Sequence, residues 1–173
     1  MKLNKKKGIL FWITGFSGSG KSEISYKLKN EIEKKFGKTI IISGDNFRQT
    51  FNFKNYDRNS RIKLGKQYIN FLKLILDQNI NIIFSIVGLY EEIRKFGKKN
   101  IQNYIEIFID ANIKKIERNS KKLHYKKKQK NILGLDLEPE LPKKPDIKII
   151  NNFKTPISKI SKKIIKEISK YEK

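Results

Sequence analysis

The eight residues Gly15-Phe16-Ser17-Gly18-Ser19-Gly20-Lys21-Ser22 constrain this chain more than any other stretch. They fit the pattern G-x-x-x-x-G-K-[ST] in full, and they lie between two segments of different periodicity. Before them, residues 9–14 form a short, bulky and nearly continuous apolar run, as expected of a strand buried on both faces. After them, Ile24, Leu28, Ile32 and Phe36 recur at helical spacing until Gly37. Strand, glycine loop and helix in that order make a phosphate cradle. Glycines let successive backbone N–H groups converge on phosphate oxygens, and the helix adds its positive N-terminal end. Gly15, Ser17, Gly18, Ser19 and Gly20 are therefore expected to wrap the phosphates. Lys21 is expected to reach the β- and γ-phosphates and the Ser22 hydroxyl to ligate Mg²⁺. The expected ligands are a nucleoside triphosphate and Mg²⁺. Glu23 is expected to sit at the helix start, where negative charge is favourable, with no catalytic role.

The rest of the chain continues the alternation. Residues 39–42 read as a second buried strand, residues 80–87 as a third, 104–109 as a fourth and Ile147–Ile150 as a fifth. Tyr68, Ile69, Leu72, Ile75 and Leu76 make a helical stripe that ends near Asn79, and Ile157, Ile160, Ile164 and Ile168 make a last amphipathic helix. Strands alternating with helices predict an α/β domain, a central parallel five-stranded sheet flanked by helices, over residues 1–173. Trp12 is expected in its core. Residues 44–61 and 118–145 show no clear periodicity, and long irregular segments at strand ends are where such sheets hold ligands.

Composition narrows the function. Lys plus Arg number 40 against 17 Asp plus Glu, a formal net charge of +23. The lysines run from Lys2 to Lys173 and are not gathered into one arm, so they read as solvated surface, and a dedicated nucleic-acid face is not expected. With 38% hydrophobic residues the chain is too apolar to be disordered. It has no cysteine, which excludes disulfides, thiolate zinc sites and a cysteine nucleophile, and His124 is its single histidine. Apolar runs such as residues 9–13 are far shorter than the ~20 residues that span a bilayer. No membrane partner is expected, and a cytoplasmic location follows by default.

An acid stands just past the second strand, in Ser43-Gly44-Asp45-Asn46-Phe47-Arg48. Phosphoryl transfer needs positioning, Mg²⁺ and a carboxylate that orients the attacking hydroxyl, so Asp45 is a candidate catalytic and metal-positioning residue. At this point the chain resembles the adenylyl-sulfate kinases. Residues 11–22 are close to that family's opening signature, and Gly44-Asp45-Asn46-Phe47-Arg48 is similar to its G-D-N-x-R block. Phe53, four residues before Asp57-Arg58, resembles its F-S-x-x-D-R stretch. Residues 105–110 with Arg118 resemble its fourth strand and the arginine beyond it. Tyr125-Lys126-Lys127, Gly134-Leu135-Asp136, Pro142 and Pro145 resemble its lid and the proline-rich stretch after it. The resemblance implies a P-loop kinase fold with a lid at roughly residues 118–145. It also implies Mg²⁺-dependent transfer of the ATP γ-phosphate to the ribose 3′-hydroxyl of adenylyl sulfate. Carried over by position, Asp45 is the acid at the 3′-hydroxyl, and Arg48 and Arg58 hold the phosphate-sulfate anhydride. Phe53 stacks on the base, and Arg118 and Lys126 close over ATP. A nucleotide is the expected small-molecule partner, and a homodimer is left open.

The match departs on the acceptor side. Ser43 stands at the family's first acid and Arg61 at an Asn, and Gly88-Leu89-Tyr90-Glu91 replaces S-P-[FY]-R, so that Glu91 replaces an arginine. Arg94 keeps the second arginine of that loop, as a candidate acceptor ligand, and Ile132 replaces the second aromatic of the base clamp. Such changes could retune the acceptor. Adenylyl sulfate, with a place in sulfate assimilation, stands first. The alternative is the cytidine diphosphoramidate kinase branch, which serves capsule biosynthesis with the same mechanism. Rival classes are a P-loop NTPase switch and a basic nucleic-acid-binding protein; the G-D-N-x-R block with Phe53 favours the kinase, because a switch protein needs no second anion site. His124 and the lysine run 126–128 with Lys130 read as solvent-facing or phosphate-facing groups, and Glu91 and Glu92 as acceptor-side residues or a helix start.

Overall fold

The computed structural model describes residues 3–119 and 131–171. Five strands form one sheet: β1 (Leu10–Thr14), β2 (Thr39–Ser43), β3 (Asn81–Ile86), β4 (Tyr104–Asp110) and β5 (Ile147–Ile150). They run in the order β2-β3-β1-β4-β5, and all four pairings are parallel. β1 is central and buried along its whole length, which is why its sequence carries no polar alternation. β5 lies at an edge, and its Ile150 is exposed.

Successive β1 side chains serve opposite layers. Phe11 and Ile13 pack with Ile24, Leu28 and Ile32 of α1 (Lys21–Phe36) and with Ile160 and Ile164 of α6 (Ile157–Ile168). Leu10 and Trp12 face Tyr68, Ile69 and Leu72 of α3 (Arg58–Leu76) and Ile93 of α4 (Glu91–Asn100). Trp12 is fully buried, 5.3 Å from the Phe84 ring and 6.0 Å from that of Tyr104. Strand order reverses beside β1, whose neighbours are β3 and β4, and such reversals open a crevice at the carboxyl ends of the strands.

Helical segments occupy stretches where the sequence shows no stripe. The irregular reading of residues 44–61 is corrected by α2 (Gly44–Thr50) and by α3, which begins at Arg58. Ser43 caps α2 by accepting from the Asn46 amide, and Asp57 caps α3 by accepting from Ser60. A short α5 (Ile113–Asn119) follows β4, and α4 settles Glu91 and Glu92 as exposed residues of a first helical turn. Among the described residues, no helix is long and apolar enough to cross a membrane.

Candidate active site

The phosphate loop leaves β1 at its carboxyl end. Gly15 has φ 152°, and a Cβ there would lie 2.5 Å from the Ile109 carbonyl oxygen, so only glycine lets the loop press against β4. Asn151, just past β5, donates its side-chain amide to the Ser19 carbonyl at 3.0 Å and holds the loop from behind. The helix then starts at Lys21 with no side-chain cap, leaving its first amides open to an anion. The Lys21 ammonium folds over the loop and donates to the carbonyls of Gly15 (2.9 Å) and Phe16 (2.6 Å). Ser19 Oγ is buried with no hydrogen-bond partner among the described residues. This cradle of amides, an ammonium and an orphaned hydroxyl fits the phosphates of ATP. Glu23 lies exposed in the same first turn.

Asp45 is exposed in the first turn of α2, and it lines one cavity of about 880 Å³ together with Ser17 of the phosphate loop. Ser22 is exposed in the first turn of α1. The described residues hold no group of three acids or histidines. One hydroxyl and one carboxylate suit Mg²⁺, which keeps waters and substrate phosphates as its other ligands.

The cavity extends from Asp45 over Arg48, Tyr56, Arg61 and Tyr68 to Ile132. Both arginines stack on one ring: the guanidinium carbons of Arg48 and Arg61 lie 4.3 and 5.3 Å from the Tyr56 centroid. Arg48 donates to the Asn55 carbonyl at 3.1 Å. Arg61 donates to the carbonyls of Tyr56 (2.7 Å) and Asn131 (2.9 Å). Burial, and then the nearby Arg48 charge, lower the Arg61 pKa. Burial pushes the Tyr68 phenol up to about 12, so it stays protonated in the cavity wall. Ile132 is placed by Asp136, whose carboxylate accepts from the amides of Asn131 and Ile132.

Three sequence expectations for the acceptor side meet a different geometry. Phe53 is not in the cavity wall. α2 ends at Thr50, Asn52 turns the chain with φ 52°, and Phe53 continues the Phe47–Phe51 aromatic row, bordering a separate depression. Tyr56 lines the cavity, together with Tyr68 and Tyr90, and neither Tyr56 nor Arg61 was singled out as a ligand by sequence reasoning. A tyrosine with one arginine eight positions before it and another five after is a weak signal that only the fold resolves. Arg58 does not line the cavity, and lies 2.7 Å from Glu140 and over the Tyr90 ring at 5.2 Å. Arg94 is buried rather than open to the cavity, with its Nε 3.1 Å from Glu106 Oε1. Arg118 is exposed on α5, and Lys126 and His124 lie outside the described residues.

Comparison with known proteins gives this geometry a lineage. A family model described as adenylylsulphate kinase matches residues 7–150. The chain is 30% identical over 169 residues to a cytidine diphosphoramidate kinase of Campylobacter jejuni, covering 95% of this chain and 99% of that one. It is 32% identical over 157 residues to an adenylyl-sulfate kinase of Clostridium acetobutylicum, covering 86% and 77%. Its fold superimposes on the APS kinase of Mycobacterium tuberculosis in complex with AMPPNP and APS with a TM-score of 0.85, at 22% identity over 94% of this chain and 98% of that one. A complete phosphate loop, an acid at the end of the second strand and a match across most of the chain agree: this protein belongs to the adenylylsulphate kinase family.

Proposed function

We propose that the protein transfers the γ-phosphate of ATP to the ribose 3′-hydroxyl of a nucleotide that carries an anionic 5′ substituent. The observation that carries this reading is the shared cavity, in which Asp45 and Ser17 of the phosphate loop stand together with Arg48, Tyr56 and Arg61. Donor-side and acceptor-side groups thus meet in one space, as direct transfer requires.

The chemistry assigned to each residue follows from its position. The phosphate-loop amides and Lys21 hold the β- and γ-phosphates, and Lys21 must exchange the carbonyls of Gly15 and Phe16 for phosphate oxygens. Ser22 and Asp45 are the groups that would hold Mg²⁺, which neutralises charge on the phosphates when bound. Asp45 accepts the proton of the 3′-hydroxyl as its oxygen bonds to phosphorus and the bond to the β-phosphate oxygen breaks. Arg48 and the Tyr56 ring take the acceptor's anion and base. Arg118 and Lys126 are assigned to the ATP side of the lid.

Adenylyl sulfate is the first acceptor to test, because the family description and the Clostridium relative name it. A second reading, cytidine diphosphoramidate, is favoured by the end-to-end match with the Campylobacter kinase and by aliphatic Ile132 in the cavity wall. The test is a side-by-side rate measurement with both acceptors, ATP and Mg²⁺. ADP and a 3′-phosphorylated product are expected from at least one of them, and a preference beyond about tenfold assigns the acceptor. Hydrolysis of ATP with transfer to neither would overturn the kinase reading.

A further inference from the structure

Four arginines border the acceptor side, and their surroundings divide them. Arg94 is matched by Glu106 and Arg58 by Glu140. Arg48 and Arg61 have no carboxylate within 4.0 Å among the described residues. Their hydrogen bonds go to backbone carbonyls instead. Asp136, the acid next to this pair, is engaged by the amides of Asn131 and Ile132. Two guanidinium groups therefore share the Tyr56 ring in a partly buried wall with no carboxylate in ion-pair contact among the described residues. Like charges held together in reduced dielectric are unfavourable until an anion joins them.

We infer that Arg61, together with Arg48, is the clamp for the acceptor's 5′ anion and sets the enzyme's selectivity for a doubly charged 5′ group, while Glu140 withholds Arg58 from that task. This rests on the kinase reading above. The resemblance assigns the anion to Arg48 and Arg58 and expects an Asn at residue 61, so the clamp has moved by one helical turn along α3. Residues 58 and 61 are three apart on that helix. The Arg58 fork turns to Glu140 at 2.7 Å, and the Arg61 fork turns to the cavity beside Arg48. Two planar forks present donors to several oxygens at once, which matches a diphosphate-like group better than a single phosphate.

The probes are ADP and CDP, titrated calorimetrically into the full protein with its ATP site saturated by Mg-AMPPNP, with adenosine and cytidine as uncharged controls. Arg61→Gln is expected to weaken the bound diphosphate by at least about tenfold, with the matching nucleoside within about threefold of wild type. Arg58→Gln is expected to cost less than Arg61→Gln. An Arg58→Gln loss equal to or above that of Arg61→Gln would overturn the assignment, as would an unchanged Arg61→Gln affinity. If Arg61→Gln fails to fold, Arg61→Lys keeps the charge and removes the fork, and an unchanged affinity there is equally contrary. Wild-type protein that takes up neither diphosphate beside Mg-AMPPNP would instead sink the kinase reading on which the clamp depends.

Discussion

Arg94 Nε lies 3.1 Å from Glu106 Oε1, and both side chains are almost completely buried. Lys98 reaches the other carboxylate oxygen at 2.9 Å, and the Glu106 amide donates to Asp146 at 2.7 Å. Oε1 accepts no well-aligned hydrogen bond, so its contact with Arg94 is ionic. Two cations of α4 thereby fasten that helix to an acid of β4. Removing Glu106 leaves the buried Arg94 without its counter-charge, at a cost of about 3–5 kcal/mol, whereas removing Arg94 leaves Glu106 still paired with Lys98 and costs less. Glu106→Gln is expected to lose stability on that scale in urea unfolding, Arg94→Met less, and the double variant less than their sum. An acceptor-binding Arg94 would instead raise the acceptor KM and leave the unfolding midpoint in place.

Lys21 makes the complementary case. Its ammonium donates to two backbone carbonyls of the phosphate loop. Lys21→Ala is expected to keep the unfolding transition of the wild type and to lower turnover by at least about 10²–10³-fold, the loss of a donor aimed at developing charge. Wild-type turnover in that variant would be incompatible with the ATP site.

Asp45 is assigned to the transferring proton and the metal, not to ATP affinity. Asp45→Asn should leave ATP binding measurable by calorimetry and cut transfer at saturation by about 10²–10⁴-fold. Collapsed ATP affinity with transfer preserved at saturation would make Asp45 a binding residue.

How far the sequence reveals this arrangement depends on how local each signal is. The five strands are legible because each is a short run rich in β-branched and aromatic residues, and Ile147–Ile150 is matched residue for residue. The phosphate loop is legible because all its working parts are consecutive. α2 is seven residues long, too short for a stripe, and α4 buries one face through Ile93, Arg94 and Gly97, whose types do not announce a core. The acceptor side is the least legible part. Whether Arg48, Arg58, Arg61 or Arg94 faces the cavity is decided by helix rotation and by Glu106 and Glu140, which lie far from them in the chain. That Tyr56 and not Phe53 lines the cavity likewise turns on Asn52, whose left-handed conformation follows the end of α2.

Asn151 has no place in the phosphate-loop motif, yet it touches the loop directly. Its side-chain amide donates to Ser19 O, its carbonyl oxygen accepts from the Phe153 amide at 3.0 Å, and a Cβ on Gly20 would sit 2.9 Å from its nitrogen. It is buried, so truncation strands the Ser19 carbonyl at a cost of about 1–3 kcal/mol. Asn151→Ala is expected to lower the unfolding midpoint and to raise the KM for ATP more than that for the acceptor. Equal effects on both KM values would show that the loop does not depend on this tether.

Glu140 ties the segment that precedes β5 to the start of α4. Its amide donates to the Leu89 carbonyl at 2.8 Å, and its carboxylate accepts from Arg58 and from the Glu91 amide, each at 2.7 Å. The latter contact caps a helix whose own cap residue, Tyr90, supplies no side-chain bond. Partial burial pushes the Glu140 carboxyl up, but the Arg58 and Glu91 hydrogen bonds outweigh it and leave the folded pKa below 4.5. The tie is therefore complete above about pH 4.5, the unfolded value, and disappears as pH falls through the lower folded value. Urea unfolding of wild type and Glu140→Gln is expected to differ by a constant amount near neutral pH. That gap should narrow below about pH 4.5, because protonated Glu140 and Gln are then alike in charge. A gap that stayed constant down to about pH 3 would show that the carboxylate's charge contributes nothing to the tie.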